Sequence, residues 1–178
     1  MKELNQETAK KYALEKFSQL PELKFKWNKV HSEGIIEILK ILTSDKNIDL
    51  SKLISLAWVH DIGKIKSDKN HAGLSLDILK KEFLLDKVDT DCILNHGSSA
   101  NPKTPEGKLF RYADGLSLFT DKAIKFRFDA GSKEGLSHEE IKGIIKKLYE
   151  KYKVKYPDSK EIINLLDKLY KKAINLNP

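Results

Sequence analysis

The stretch that decides the fold is Asp49-Leu50-Ser51-Lys52-Leu53-Ile54-Ser55-Leu56-Ala57-Trp58-Val59-His60-Asp61-Ile62-Gly63-Lys64. Leu53, Leu56, Ala57 and His60 recur at helical spacing, with Asp49 or Ser51 available as an N-cap and Gly63 as a stop. The inner side of this helix is apolar until its last turn, where an imidazole and a carboxylate follow one another. Burying those two groups unpaired is costly. A core helix that ends in them needs a partner for both.

Outward from this segment the apolar period stays helical, with Gly and Pro mainly between periodic runs, so an all-α fold is expected. Upstream, one helix spans about Glu7 to Leu20 and stops at Pro21. A second spans about Phe25 to Leu42 and carries Val30, Ile35, Ile38, Leu39 and Leu42 on one side. Downstream, after a lysine-rich turn, His71 to Phe83 and Val88 to His96 read as helices, the latter closing at Gly97. Ser98 to Lys103 is polar and irregular. Thr104, with Pro105 at the first helical position, opens a long helix to about Phe128. Ser137 with Glu140, and Asp158 with Glu161, have capping-box spacing and start two C-terminal helices.

A chain of 178 residues buries roughly 70% of the surface its unfolded form exposes, enough for a core and internal polar sites. Asp129 to Gly135 is the candidate hinge. The residues after it carry too few large apolar groups to fold alone, so the expectation is one domain over 1–178. Its core spans about 25–128, with helices at 137–174 packed on it.

Lys and Arg number 33 against 26 Asp and Glu, a formal net charge of +7, but only Arg111 and Arg127 are arginine and the lysines are dispersed. Nucleic-acid binders cluster such charge and favour Arg. Nucleic acid therefore ranks below a small anionic substrate, which a positive field draws in. The single cysteine, Cys92, excludes an internal disulfide. With no leader-like N-terminus, a cytoplasmic location is expected. Apolar runs such as Leu53 to Val59 end far short of the roughly 20 residues a bilayer span needs, so no membrane partner is expected.

Ionisable groups on apolar helix faces are the informative anomaly. His31 precedes Ile35, Ile38 and Leu42 on the core stripe of the second helix. His60 continues the stripe of the third, with Asp61 next to it, about 100° round a helix. Asp114 lies between Phe110 and Leu118, and His96 ends a short helix with Ile93 on its inner side. Each alone reads as a satisfied core residue. Jointly they point to a metal: imidazole and carboxylate are the donor types that hold Zn, Mn, Fe, Co or Ni, and His60 and Asp61, with His31 and Asp114 from two other helices, are expected around one ion inside the bundle.

Val30-His31-Ser32, Trp58-Val59-His60-Asp61-Ile62-Gly63-Lys64 and Arg111-Tyr112-Ala113-Asp114-Gly115-Leu116 resemble the HD superfamily of metal-dependent phosphohydrolases, over about Phe25 to Phe119. The resemblance implies a compact HD-type helical bundle with additional C-terminal helices. It also implies one divalent ion held by His31, His60, Asp61 and Asp114. His71 and His96 occupy places where two-metal members carry extra histidines, with Asp61 then bridging two ions. That set is similar to those of bacterial diadenosine tetraphosphate hydrolases and cyclic-dinucleotide phosphodiesterases of the superfamily. The short step from Asp61 to His71, and Gly97 where a second adjacent His would stand, depart from the cyclic-dinucleotide pattern.

The implied chemistry is metal-assisted hydrolysis of a phosphate ester or anhydride, with a small phosphorylated substrate of nucleotide type as partner. Asp61 and Lys64 are the catalytic candidates, and Lys64, one turn past Asp61, also suits a phosphate oxygen. Arg111 is placed either to meet phosphate or to pair with an acidic neighbour. Ser98 in the irregular loop rims the pocket. Cys92 and His138 read as a half-buried core thiol and a solvent-facing imidazole, and Tyr149, Tyr152, Tyr156 and Tyr170 as packing groups. The competing classes are a metal-bound signalling or scaffold module without turnover, and a nuclease.

Overall fold

The computed structural model describes residues 1–44, 46–156 and 159–176. Among them the chain is all-α: α1 Gln6–Phe17, α2 Glu22–Leu42, α3 Leu50–Val59, a 3-10 turn Ile62–Ile65, α4 His71–Leu79, α5 Lys87–Leu94, α6 Pro105–Ser117, α7 Asp121–Lys133, α8 His138–Lys155 and α9 Lys160–Asn175. The only extended pairing among these residues is an isolated bridge between Lys2 and Phe83. None of the helices is long and apolar enough to cross a membrane.

The helix starts follow local chemistry. Asp49, not Ser51, caps α3 by accepting from the Lys52 amide, and Thr104 caps α6 by accepting from Gly107. Ser137 and Glu140 form the expected capping box of α8. Asp158 lies outside the described residues, and the cap of α9 is Ser159, which accepts from Ile162. α1 and α4 end earlier than their apolar period suggests, at Phe17 and Leu79.

The helix expected from Thr104 to Phe128 is two helices, broken at Leu118–Thr120. The Ser117 hydroxyl donates to the Asp114 carbonyl and the Thr120 hydroxyl to the Ser117 carbonyl, while Thr120 turns extended as the cap residue of α7. Apolar spacing runs unbroken through this turn, which hides it. The turn is seated on α2, where Gly34 leaves room: a Cβ there would lie 3.1 Å from the Ser117 carbonyl and from Thr120 Oγ1. Nor is Asp129 to Gly135 a free hinge. α7 runs through it to Lys133 and stops at Gly135, whose φ of 83° only glycine adopts readily.

α2 lies along α6, and α3 packs between α1 and α2, around buried Phe17, Ile35, Leu39, Leu56, Phe110 and Leu116. α8 and α9 pack on one another, α8 also on α7 and α9 on α6. Gly115 of α6 receives α8 directly. A Cβ there would collide with the Tyr152 ring and the Tyr156 hydroxyl, and that hydroxyl donates to the Arg111 carbonyl at 2.9 Å.

Candidate metal centre

Six side chains from five helices or their ends meet inside the bundle. α2 brings His31, the end of α3 brings His60 and Asp61, the start of α4 brings His71, the end of α5 brings His96, and α6 brings Asp114. His60 follows the last residue of α3, and Asp61 (φ −103°, ψ 4°) begins the 3-10 turn, so the pair splays because the helix ends there. Gly63 acts through space and not through a left-handed turn. A Cβ on it would strike the His71 carbonyl and the Ser75 amide, and its own N–H donates to Ser75 Oγ at 2.8 Å. That close approach carries His71 to Asp61.

Each of the four imidazoles is anchored through Nδ1. At helix ends the last carbonyls lack helical partners, and two histidines use them: His60 Nδ1–H donates to the Ala57 carbonyl at 3.0 Å and His96 Nδ1–H to the Ile93 carbonyl at 2.7 Å. His71 Nδ1–H donates to the Asp68 carbonyl at 2.8 Å. For His31 the acceptor is Ser117 Oγ at 2.9 Å, whose own proton goes to the Asp114 carbonyl. With each ring neutral, these anchors place the proton on Nδ1 and leave Nε2 free to accept or to hold a cation.

The four Nε2 atoms point at the two carboxylates and at one another. Asp61 Oδ2 lies 3.3 Å from His60 Nε2 and 3.7 Å from His31 Nε2, and Asp114 Oδ1 lies 3.0 Å and 3.7 Å from His31 and His60. Asp61 Oδ1 faces the other way, 3.3 Å from His71 Nε2 and 3.6 Å from His96 Nε2, which are themselves 2.9 Å apart. His60 Nε2 and Asp61 Oδ1 are buried without a hydrogen-bond partner. Acceptors facing acceptors at this range call for a cation between them. The residues therefore fit a divalent ion, and the ligand atoms of His31, His60 and Asp114, like those of His60, Asp61 and His96, lie within 4.8 Å of one another.

The protein's own charges show the same need. Burial opposes a charged His60, yet Asp61 and Asp114 outweigh it and raise its pKa to about 9. Burial, then the His60 charge, pushes His96 down to about 4. Burial opposes the carboxylates of Asp61 and Asp114 too, but their basic neighbours hold both well below the usual range. Lys64 pairs with Asp61 Oδ2, which raises its pKa despite its burial.

A cavity of about 270 Å³ opens onto this cluster, lined also by Trp27, Lys64, Ser98, Leu118, Lys151 and Tyr152. Lys64 and Ser98 are both among the residues that line it. Arg111 is not among the lining residues: its guanidinium donates to the carbonyls of Ser98 (2.7 Å) and Lys155 (3.1 Å) and lies over the Tyr156 ring. It ties the loop to the end of α8. Cys92 is fully buried rather than half-buried, and burial raises its thiol pKa, so it is core. His138 is exposed, edge-on to Phe128.

Sequence reasoning misses Trp27, Lys151 and Tyr152. Trp27 carried a signal, four residues before His31 on one helix face, and its ring stacks on His31 at 5.8 Å and 12°. Tyr152 packs as expected, on Phe119 and Tyr156, but it also faces the cavity.

Residues 29–118 match the family model described as HD domain. No curated protein and no solved structure matches the chain.

Proposed function

The chain belongs to the HD-domain family, and from that membership we propose that it is a metal-dependent phosphohydrolase cleaving a phosphate ester or anhydride of a nucleotide-type substrate. The observation that carries this reading is Asp61. Its two oxygens face separate groups of imidazole Nε2 atoms, with Oδ2 toward His31 and His60 beside Asp114, and Oδ1 toward His71 and His96. One ion suits the first group, a second the other, and Asp61 belongs to both. Nitrogen and carboxylate donors of this kind suit Mn, Fe, Co, Ni or Zn, with Mg a weaker fit to so many imidazoles.

A divalent ion held by His31, His60, Asp61 and Asp114 would supply Lewis acidity toward a phosphate oxygen and lower the pKa of a bound water. The protein's part is to hold the donors in place. The Nδ1 anchors fix each imidazole, as partners of ligating histidines do in metal sites generally. Lys64, half-buried beside Asp61, gives the cavity an ammonium that meets the charge growing on phosphate as the bond breaks. Ser98 adds a hydroxyl at the rim.

The test is hydrolysis of a panel of phosphomonoesters, phosphodiesters and nucleotides by purified protein stripped and reloaded with Mn, Fe, Co, Ni, Zn or Mg. Turnover that requires the added metal and is lost in His31→Ala supports the reading. A protein that binds metal and turns over nothing is the scaffold module instead.

A further inference from the structure

The wall of the cavity opposite the family-matched segment is built by α8, which lies outside residues 29–118. Its two lining residues, Lys151 and Tyr152, differ from several of their neighbours on that helix in having no committed partner. Lys142 pairs with Glu139, Lys153 with Tyr149 and Asp167, and Lys155 reaches Ser99 Oγ at 2.8 Å. Lys151 has neither an ion pair nor a hydrogen bond among the described residues, and its ammonium lies 5.2 Å from the centroid of the Tyr152 ring. The tyrosines divide in the same way. The Tyr149 hydroxyl donates to Asp167 and the Tyr156 hydroxyl to the Arg111 carbonyl, while the Tyr152 hydroxyl has no hydrogen-bond partner among the described residues.

Tyr152 is nevertheless only 6% exposed, and its place is fixed by the space at Gly115, next to Asp114. Lys146 and Lys147 of α8 are likewise without an ion pair or hydrogen bond among the described residues but do not line the cavity; Lys151 and Tyr152 are the uncommitted donors of the helix that do. Among the described residues the only carboxylates lining the cavity are Asp61 and Asp114, which are turned toward the imidazoles. Lys64, beside Asp61, serves the phosphate under attack, so among the described residues Lys151 is the further lining cation for substrate charge.

Resting on the phosphohydrolase reading, we propose that Lys151 and Tyr152 form a second anionic subsite, which takes the phosphate adjoining the one under attack. Substrates with two consecutive phosphates are then preferred over phosphomonoesters. The cavity, at about 270 Å³, is smaller than the roughly 300–1,000 Å³ of sites for drug-sized ligands, so it admits the phosphate end of such a substrate and leaves the rest at the mouth. Both residues act by holding charge, an ammonium and a hydroxyl donor on one bridging phosphate group.

The test compares the metal-loaded parent with Lys151→Met and Tyr152→Phe, the latter keeping the ring on Gly115. The substrates are a nucleoside diphosphate and p-nitrophenyl phosphate. Lys151→Met should lower the diphosphate-to-monoester ratio of kcat/KM by about tenfold or more, chiefly through KM, and Tyr152→Phe by about threefold. By calorimetry, methylenediphosphonate should bind Lys151→Met about tenfold more weakly than parent, with inorganic phosphate affected much less. Metal content and circular dichroism confirm the centre and fold of each variant. An unchanged ratio with unchanged diphosphonate affinity overturns the subsite, as does an equal loss for both substrates. In either case parent turnover leaves the phosphohydrolase reading standing. A parent that hydrolyses nothing and binds neither anion removes that reading, and the subsite with it.

Discussion

Asp91 and Asp61 are both buried carboxylates, 7% and 2% exposed, but their surroundings differ in kind. Asp91 accepts from the amides of Lys103 and Thr104, the Thr104 hydroxyl and the Asn95 side-chain amide, at 2.7–3.1 Å. It fastens the end of the Ser98 to Lys103 loop and the start of α6 to α5, and Gly107 leaves room for it. Among the described residues Asp61 has one hydrogen-bond donor, Lys64, and otherwise faces imidazole Nε2 atoms with one oxygen unpartnered. A buried charge surrounded by donors completes the fold, and one surrounded by acceptors marks a place for a cation. Burial alone does not separate the two.

The largest expected difference is in turnover. Asp61→Ala should abolish metal-dependent hydrolysis, by about 10⁴-fold or more, with an unchanged circular dichroism spectrum, since it removes a donor shared by both ligand groups. Asp91→Asn should instead leave metal content intact and destabilise the fold by roughly 2–4 kcal/mol, or about 5–12 °C in Tm for a chain of this size. If Asp91→Asn emptied the centre and Asp61→Ala unfolded the chain, the comparison would be reversed.

Lowering the pH sharpens the same contrast. Burial opposes the Asp91 charge, but the Thr104, Asn95 and Lys103 donors outweigh it and lower its pKa. A carboxyl held below its unfolded value of about 3.9 contributes stability that is complete above that pH and is lost as pH falls through the folded value. The Tm gap between the parent and Asp91→Asn should therefore be constant near neutrality and narrow below about pH 4.

A smaller effect separates Lys64 from the ligands. Lys64→Met should retain metal and lower kcat/KM by about 10²-fold for each phosphate substrate tested, because an ammonium near phosphate stabilises developing charge without coordinating metal. Parent-like turnover with metal still bound would make Lys64 only a partner for Asp61.

The helices and the buried His and Asp groups are legible in the sequence because both rest on short-range rules. Helical spacing, caps at Asp49, Thr104 and Ser137, and polar groups on apolar stripes at His31, His60 and Asp114 are all visible within a few turns. The break at Leu118–Thr120 was hidden because its cause is tertiary: Gly34 on another helix makes room for the turn. For the same reason Lys151 looked like one more lysine of a basic helix. Only Gly115, which seats the α8 tyrosines, reveals that this helix faces the cluster. Arg111 resembled a phosphate ligand by position, but its partners are carbonyls contributed by a loop and a helix end.

Titration of chelator-stripped protein with Mn²⁺, followed by electron paramagnetic resonance, tests the metal centre most directly. The Asp61 arrangement predicts saturable binding approaching about two ions per chain, falling toward one in His96→Ala, and lost in a His31→Ala, Asp61→Ala double variant that remains folded. Absence of saturable binding in the parent, or binding that persists undiminished in the folded double variant, would contradict it.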